Sequence, residues 1–168
     1  MSDSYPIIIP DMPVIEQGPS QRPYLVYVLA TGEITSKVGE ATPANWHAQA
    51  GEGEGILEAN ADRNRFYVKN GKLVPRPAPA FDRTEIVADG KDAAVCKAPK
   101  GTRVHVKRPE QRLNDTGWNE YFQGETDGKP VRVLAIEPGA YDVHLVPPFP
   151  WQVLDVRIEA VLTGKEFE

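Results

Sequence analysis

The side chains best suited to binding a metal ion or moving a proton are His47, His105 and His144. Zinc sites use three or four protein ligands, commonly spaced as His-Glu-x-x-His or Cys-x-x-Cys, and neither spacing occurs in this chain. His105 and His144 fall on the outward phase of two predicted strands, so they can be neighbours on one surface. Two histidines make a poor zinc site, and we expect solvated surface histidines without a metal ion or other cofactor.

The tripeptide Asp115-Thr116-Gly117 matches the catalytic turn of aspartic proteases. That reaction needs two aspartates that share one proton in a dry cavity. The chain has one such tripeptide, in a polar stretch, so a dimer partner would have to supply the second. The chain also lacks a Gly-x-Ser-x-Gly nucleophile motif and a Gly-rich phosphate loop. Asp115 is the best candidate for a catalytic residue, but the second aspartate that it would need is missing. We therefore predict that the protein is not an enzyme.

Aromatic side chains share a polar segment between Pro109 and Pro130 with amides and carboxylates; they are Trp118, Tyr121 and Phe122. This combination suits a sugar-binding site, and it equally suits a protein interface. Loop aromatics also often plug the end of a β-sandwich. Three interpretations stay open: a core plug, a partner contact, or a carbohydrate-binding module that uses the 114–123 loop to bind a glycan of a host surface.

The chain opens with an apolar segment that prolines interrupt at Pro6, Pro10 and Pro13. Proline lacks the N–H that helices and central strands need, so this arm cannot easily build its own structure. Its apolar side chains still favour burial, and we predict that a partner chain buries them; they are Ile7, Ile8, Ile9, Val14 and Ile15.

Prolines also interrupt the stretch VPPFPW, at 146–151, where Phe149 and Trp151 appear. The stretch is either a kinked edge strand, which would block unwanted pairing, or a contact surface for another subunit. Phe149 and Trp151 are therefore candidate partner contacts.

The 168 residues carry a formal net charge of -5, which argues against nucleic-acid or anionic-membrane partners. No apolar run is long enough to cross a membrane, and the first residues lack the pattern of a signal peptide. Cys96 is the only cysteine, so no internal disulfide can form, and we expect it to be a small buried apolar residue.

Turn signals and alternating strands predict a mainly β chain. Asn70-Gly71 marks one hairpin and Thr31-Gly32 another, and Thr42-Pro43 begins a short helix. Beyond residue 82 short strands alternate apolar and polar residues, as Val104 and Val106 do in TRVHVK, which is typical of antiparallel sheets. We predict an extended arm (1–22), a small α+β module (23–75), a Pro/Ala linker (76–82), an immunoglobulin-like antiparallel β-sandwich (83–162) and a tail (163–168).

Three motifs resemble small tail and tail-fibre-associated structural proteins of tailed bacteriophages. They are Y-V-x-N-G-x-x-V-x-R-P at 67–77, A-D-G-x-D at 88–92 and P-G-x-Y-x-V at 138–143. The resemblance covers about 65–160, and the chain departs from it in the arm and in the long insertion at 109–130. It implies a non-enzymatic virion protein that is made in the host cytoplasm.

The predicted position of this protein is therefore the tail, the tail fibre or the baseplate of a virion, with a capsid decoration protein as the alternative. The predicted partners are other virion proteins and copies of the chain itself, since virion components are commonly symmetric homo-oligomers. Extended arms that lie on a neighbour's sheet are a common means of attachment.

Overall fold

A computed structural model describes residues 20–109 and 120–162. These residues form twelve strands and one 3-10 helix, so the prediction of a mainly β fold is confirmed. They contain no helix that is long and apolar enough to cross a membrane. The strands are β1 (Arg22–Val28), β2 (Ile34–Ala41), β3 (Glu54–Leu57), β4 (Phe66–Lys69), β5 (Lys72–Pro75), β6 (Glu85–Val87), β7 (Ala93–Cys96), β8 (Arg103–Lys107), β9 (Glu120–Glu125), β10 (Val131–Leu134), β11 (Gly139–Val146) and β12 (Leu154–Val161).

The N-terminal module combines an antiparallel sheet of order β2-β1-β3 with the hairpin β4-β5. Gly32 joins the two units, because its carbonyl accepts a hydrogen bond of 2.8 Å from the Val68 amide. A Cβ at Gly32 would lie 1.8 Å from the Val68 carbonyl oxygen, and the φ of Gly32 is +79°. Only glycine fits this turn, and the close approach lets Val68 pack against Leu25 and Ile34 in a small core.

The short helix lies where the sequence predicts it, at Pro43–Ala48, but it is a 3-10 helix rather than an α-helix. Thr42 occupies the N-cap position without a side-chain capping bond. Six residues offer too few hydrogen bonds to offset the cost of starting an α-helix, and 3-10 geometry is common in such short pieces.

The C-terminal module packs a five-stranded sheet of order β6-β12-β11-β8-β9 against the two-stranded sheet β7-β10. The alternation predicted from the sequence holds, since Val104 and Val106 point into the core while Arg103 points outward. The core side chains shared by the two sheets include Cys96, Val133, Val143, Leu145 and Ile158.

The prediction of a wholly antiparallel arrangement is wrong at one pair, because β6 runs parallel to β12. Phe81 forms a bridge with Cys96 of β7, and the chain then reaches β12 at Glu85. The chain from Phe81 to Glu85 therefore crosses from one sheet to the other without reversing its direction. As a result, β6 runs in the same direction as β12.

The segment at 76–82 is held against the C-terminal module rather than acting as a free spacer. The Asp82 amide donates to the Val95 carbonyl at 3.0 Å, and the Asp82 carboxylate accepts from the Val95 amide at 2.8 Å. Together with the Phe81 bridge, these bonds make the end of the predicted linker an extra partner for β7.

The predicted 114–123 loop is wrong for residues 120–123, which belong to strand β9. β9 pairs with the edge of β8, with a register irregularity at Val106 and Lys107. Its sequence shows no strict alternation, so hydrogen bonding to β8 rather than side-chain patterning defines it.

Candidate functional site

The predicted partner-binding residues fall in different parts of the chain. The arm residues Ile7, Ile8, Ile9, Val14 and Ile15 lie outside the described residues, and so does Trp118. Tyr121 and Phe122 belong to β9, whereas Phe149 and Trp151 lie in the loop between β11 and β12. The described contacts therefore belong to two separate surfaces, one at this loop and one at β9.

The loop at 147–153 contacts the N-terminal module and the segment that follows it. The Arg76 guanidinium donates to the Pro150 carbonyl through Nε at 2.8 Å and to the Trp151 carbonyl through its terminal nitrogen at 2.7 Å. Hydrogen bonds from a charged donor are stronger than neutral ones, and the planar guanidinium holds two acceptors in fixed geometry. Arg76 therefore fixes the orientation of the two modules.

Two aromatic rings complete this contact. The Arg76 guanidinium lies 5.3 Å from the centre of the Phe149 ring, within the range of a cation–π interaction. Tyr67 of β4 approaches the same ring edge-on, with 5.6 Å between the ring centres. The half-buried Phe149 ring thus contacts both Tyr67 of the N-terminal module and Arg76, the first residue of the 76–82 segment.

Gln152 returns two hydrogen bonds to the linker. Its side-chain amide donates to the Arg76 carbonyl at 2.7 Å, and its backbone amide donates to the Pro77 carbonyl at 2.8 Å. Each side of the contact therefore donates hydrogen bonds to the other. These bonds oppose sliding of the two surfaces as well as their separation.

These contacts bear on one of the two interpretations of VPPFPW. The edge-strand interpretation is wrong, because residues 147–153 form a turn and not a strand. Phe149 and the backbone carbonyl of Trp151 bind another part of the same chain. Their predicted contact with another subunit stays a prediction.

His105 and His144 are neighbours, an arrangement that the outward phase of their strands allows. They face each other in the register of β8 and β11, with ring centres 6.1 Å apart. His144 Nδ1 lies 2.5 Å from the Asp155 carboxylate, and the His144 side chain is 43% exposed. His47 lies on the 3-10 helix and belongs to a different module.

Charges of both signs surround this histidine pair on the outer face of the five-stranded sheet. Arg157 forms a two-point contact with Asp142, at 2.7 and 3.1 Å, across β11 and β12. The charged side chains line a shallow groove of 870 Å³. Ion pairs on such an exposed face contribute little to stability.

Within residues 20–109 and 120–162, no group of three or more His, Cys, Asp or Glu side chains could hold a metal ion. The carboxylates of the A-D-G-x-D turn accept backbone hydrogen bonds instead. Asp89 accepts from the amides of Lys91 and Asp92 at 2.7 and 2.8 Å; these bonds, that from Asp92 first, hold the pKa of Asp89 below its usual value. Asp92 accepts from the Val87 amide at 2.8 Å.

Cys96 is fully buried in the core between the two sheets, as the sequence predicts. Burial raises the pKa of its thiol, because the charged thiolate loses its hydration. Since the thiolate is the reactive form of cysteine, this environment disfavours nucleophilic or redox chemistry.

An apolar surface lies between β9 and β10, and we call it the β9–β10 groove. It has a volume of 350 Å³, and its lining residues include Val104, Val106, Phe122, Val133 and Leu134. The Phe122 side chain is 54% exposed even though it lies on the core-facing side of the sheet, opposite Val106. Phe122 therefore does not plug the module, and its ring forms one wall of an open groove.

Tyr141 also lines this groove. Its ring is 1% exposed, and its hydroxyl donates to the Glu137 carbonyl at 2.9 Å. The Arg108 guanidinium lies 5.0 Å from the ring centre and pairs with the Glu137 carboxylate. Sequence patterns do not reveal Arg108, Arg76 or Gln152, because nothing local marks a polar side chain whose partners lie more than 25 residues away.

Comparisons with protein-family models, with curated proteins and with solved structures find no match to this chain. Its function is therefore inferred from the geometry described above and from the motifs in the sequence.

Proposed function

We propose that this protein is a non-enzymatic structural component of a bacteriophage particle, in the tail, tail fibre or baseplate. It attaches through its N-terminal arm to other virion proteins or to copies of itself. One observation carries the proposal: the first of the motifs that resemble phage structural proteins contacts the loop after the strand of the third. Tyr67 and Arg76 of the first motif contact the loop that follows the P-G-x-Y-x-V strand.

This contact matters because separate turn motifs arise easily by chance. An interface between the first motif and the loop that follows the strand of the third supports their origin as one assembled unit. A unit of two modules that are locked together suits a particle component, since it transmits load without bending between its parts. The hydrogen bonds across Arg76 and Gln152 supply that rigidity.

We also infer that the C-terminal module is an immunoglobulin-like β-sandwich, preceded by a small module of strands and one short helix. Its strand order and the crossing of the first strand from β7 to β12 support this class. The bond from the Tyr141 hydroxyl to Glu137 further resembles the tyrosine corner of such domains.

Mass spectrometry of particles purified from a producing host tests the function. We expect the chain in stoichiometric amounts, and immunogold labelling should place it on the tail, fibre or baseplate. Label on the head would favour the capsid decoration alternative. Absence of the chain from purified particles would contradict any virion role.

A deletion of residues 1–19 tests the mode of attachment. The deleted chain should keep the circular dichroism and melting temperature of the full chain, because the proposal has a partner chain, and not these modules, bury the arm. It should be missing from purified particles. Normal incorporation of the deleted chain would show that the arm is not the attachment device.

A further inference from the structure

The β9–β10 groove lies beside an open sheet edge. Within residues 20–109 and 120–162, β10 pairs with β7 and with no other strand. In an antiparallel pair every second residue turns its N–H and C=O away from the partner, so the far edge of β10 offers a row of backbone groups. An open edge beside an apolar groove is the arrangement that takes up an extended segment, with main-chain bonds for affinity and alternate side chains in the groove.

The arm contains a segment that suits such an edge on one side only. In a strand, residues 5, 7 and 9 would direct their N–H groups to one edge, and residues 6, 8 and 10 to the other. Both prolines of this segment, Pro6 and Pro10, fall in the second set. The segment can therefore form all its backbone hydrogen bonds along one edge but not along the other. When it is docked by the first edge, its outer edge cannot pair fully with a further strand.

We propose that residues 5–9 of a second copy of this chain bind along β10, with the side chains of Ile7 and Ile9 in the β9–β10 groove. Ile8 then points away from the groove. This inference rests on the proposed function, since it names the surface to which the arm attaches. The groove walls, Phe122 and Val106 among them, match the aliphatic character of the two isoleucines.

The connection between this segment and the described residues is long enough to reach a second copy. Eleven residue steps separate Ile9 from Ser20, and they include Pro10, Pro13 and Pro19. An extended, proline-containing connection would span about 3.1 Å per residue, or roughly 34 Å here. Exchange of such a segment between copies builds a closed pair or ring or a filament, which is the kind of assembly that the proposed function requires.

Cross-linking between two variants tests the docking directly. Chains with Ile9→Cys are mixed with chains with Phe122→Cys and oxidised; the native Cys96 is buried in the core. We expect a disulfide-linked dimer, in at least roughly tenfold greater yield than with Ile8→Cys in place of Ile9→Cys. Equal yields from the two arm variants, or no dimer, would overturn the proposal. When both cysteines are placed in one dilute chain, an intramolecular product in place of the dimer would show that the arm docks on its own molecule.

Proline substitutions test the one-sided pairing by sedimentation equilibrium of the full chain. Ile7→Pro removes an N–H that faces β10, and it should weaken self-association by roughly tenfold or more. Ile8→Pro removes an N–H that faces away, and it should change association by less than about threefold. The reverse order, or equal loss from both, would contradict the assigned register.

A substitution in the β9–β10 groove tests the other side of the proposed contact. Phe122→Ala removes a wall that is 54% exposed, and Ile136→Ala is the control because Ile136 is 72% exposed and lies outside the groove lining. We expect self-association to fall about tenfold or more for Phe122→Ala and to stay unchanged for the control. If the 1–19 deletion prevents incorporation into particles while Phe122→Ala and the cross-link show nothing, the arm binds a different protein. The proposed function then survives and this inference fails.

Discussion

The two modules of this protein are held together in different ways. Within the part of the chain that the structure describes, fourteen buried side chains form the core of the C-terminal module, in which two sheets face each other. The core cluster of the N-terminal module there has three, Leu25, Ile34 and Val68, with half-buried neighbours around them, and Val26 of β1 is buried as well. A core of that size supplies little hydrophobic stabilisation, so the smaller module must depend on individual polar and backbone contacts.

Two such contacts stand out in the smaller module. The backbone bond between Gly32 and Val68 joins its sheet to its hairpin, and Arg76 attaches the hairpin to the C-terminal module. Specific contacts can therefore substitute for apolar volume when a small unit is docked on a larger one. It follows that single substitutions at these contacts should damage the N-terminal module far more than the C-terminal one.

Gly32→Ala should have the largest effect. The new Cβ would meet the Val68 carbonyl oxygen at 1.8 Å, and the positive φ adds strain. The lost backbone bond, the clash and the strain together should cost about 3–5 kcal/mol of unfolding free energy. Urea unfolding monitored by hydrogen exchange should show this loss in β1 to β5 and leave β11 protected.

Gly53→Ala is the matched control for Gly32→Ala. Gly53 has a φ of +75°, but a Cβ added there would meet no atom within 4 Å. Only the conformational strain of about 1–2 kcal/mol therefore applies. Equal losses from the two variants would show that the backbone contact with Val68 does not matter.

Arg76→Ala comes next, with a loss of about 2–3 kcal/mol from the module contact, because two charge-assisted hydrogen bonds and the contact with Phe149 disappear together. Small-angle scattering should show a larger radius of gyration, and proteases should cut within 76–82. Arg65→Ala removes an exposed arginine of the same module and should change neither measurement. An unchanged scattering profile for Arg76→Ala would mean that other contacts suffice.

Tyr141→Phe tests the larger module in the same way, and its effect should be smaller. Removal of the hydroxyl breaks one buried hydrogen bond to the Glu137 carbonyl, worth about 1 kcal/mol, and leaves the ring in the core. Denaturant titration should show one shifted midpoint with an unchanged slope. A loss of more than about 3 kcal/mol would mean that the C-terminal module also depends on single polar contacts.

The same contrast explains what the sequence could predict. The alternation in β8 and β12 and the Asn70-Gly71 turn are local patterns, and the structure follows them. Strand β9 has no such pattern, because pairing with β8 defines it. The 3-10 geometry of Pro43–Ala48 likewise depends on how few residues are available and not on their types.

The candidate contact surfaces were harder to predict for a related reason. Strand phase predicts that His105 and His144 point outward, but their facing also depends on the pairing of β8 with β11. Arg76 and Phe149 lie 73 positions apart, and no periodicity links a lone arginine to a distant carbonyl. Phe122 was recognised as a candidate contact, but its place on a groove depends on the strand order, which local patterns do not specify.

The smallest expected effect is the loss of stability in mild acid, which can be compared at one carboxylate in each module. Glu54 of β3 accepts hydrogen bonds from the Lys37 side chain and the Gly51 amide, both at 2.7 Å, and these lower its pKa from 4.5. Hydrogen bonds from the Lys129 amide and side chain lower the pKa of Asp127 from 3.8 in the C-terminal module. The stabilisation from a lowered pKa is fully present above the ordinary value and is lost as the pH falls through the folded one.

Each contribution should therefore be fully present above the ordinary pKa, 4.5 for Glu54 and 3.8 for Asp127, and should be lost as the pH falls through the lower folded-state value. Nuclear magnetic resonance between about pH 5.5 and about pH 3 should show the amide signals of β2 and β3 shifting only below pH 4.5 and those near Asp127 only below pH 3.8. Glu54→Gln keeps an acceptor but cannot titrate, so the shift in β2 and β3 should vanish in that variant. A shift in β2 and β3 that persists in Glu54→Gln would assign the acid sensitivity of the smaller module to another carboxylate.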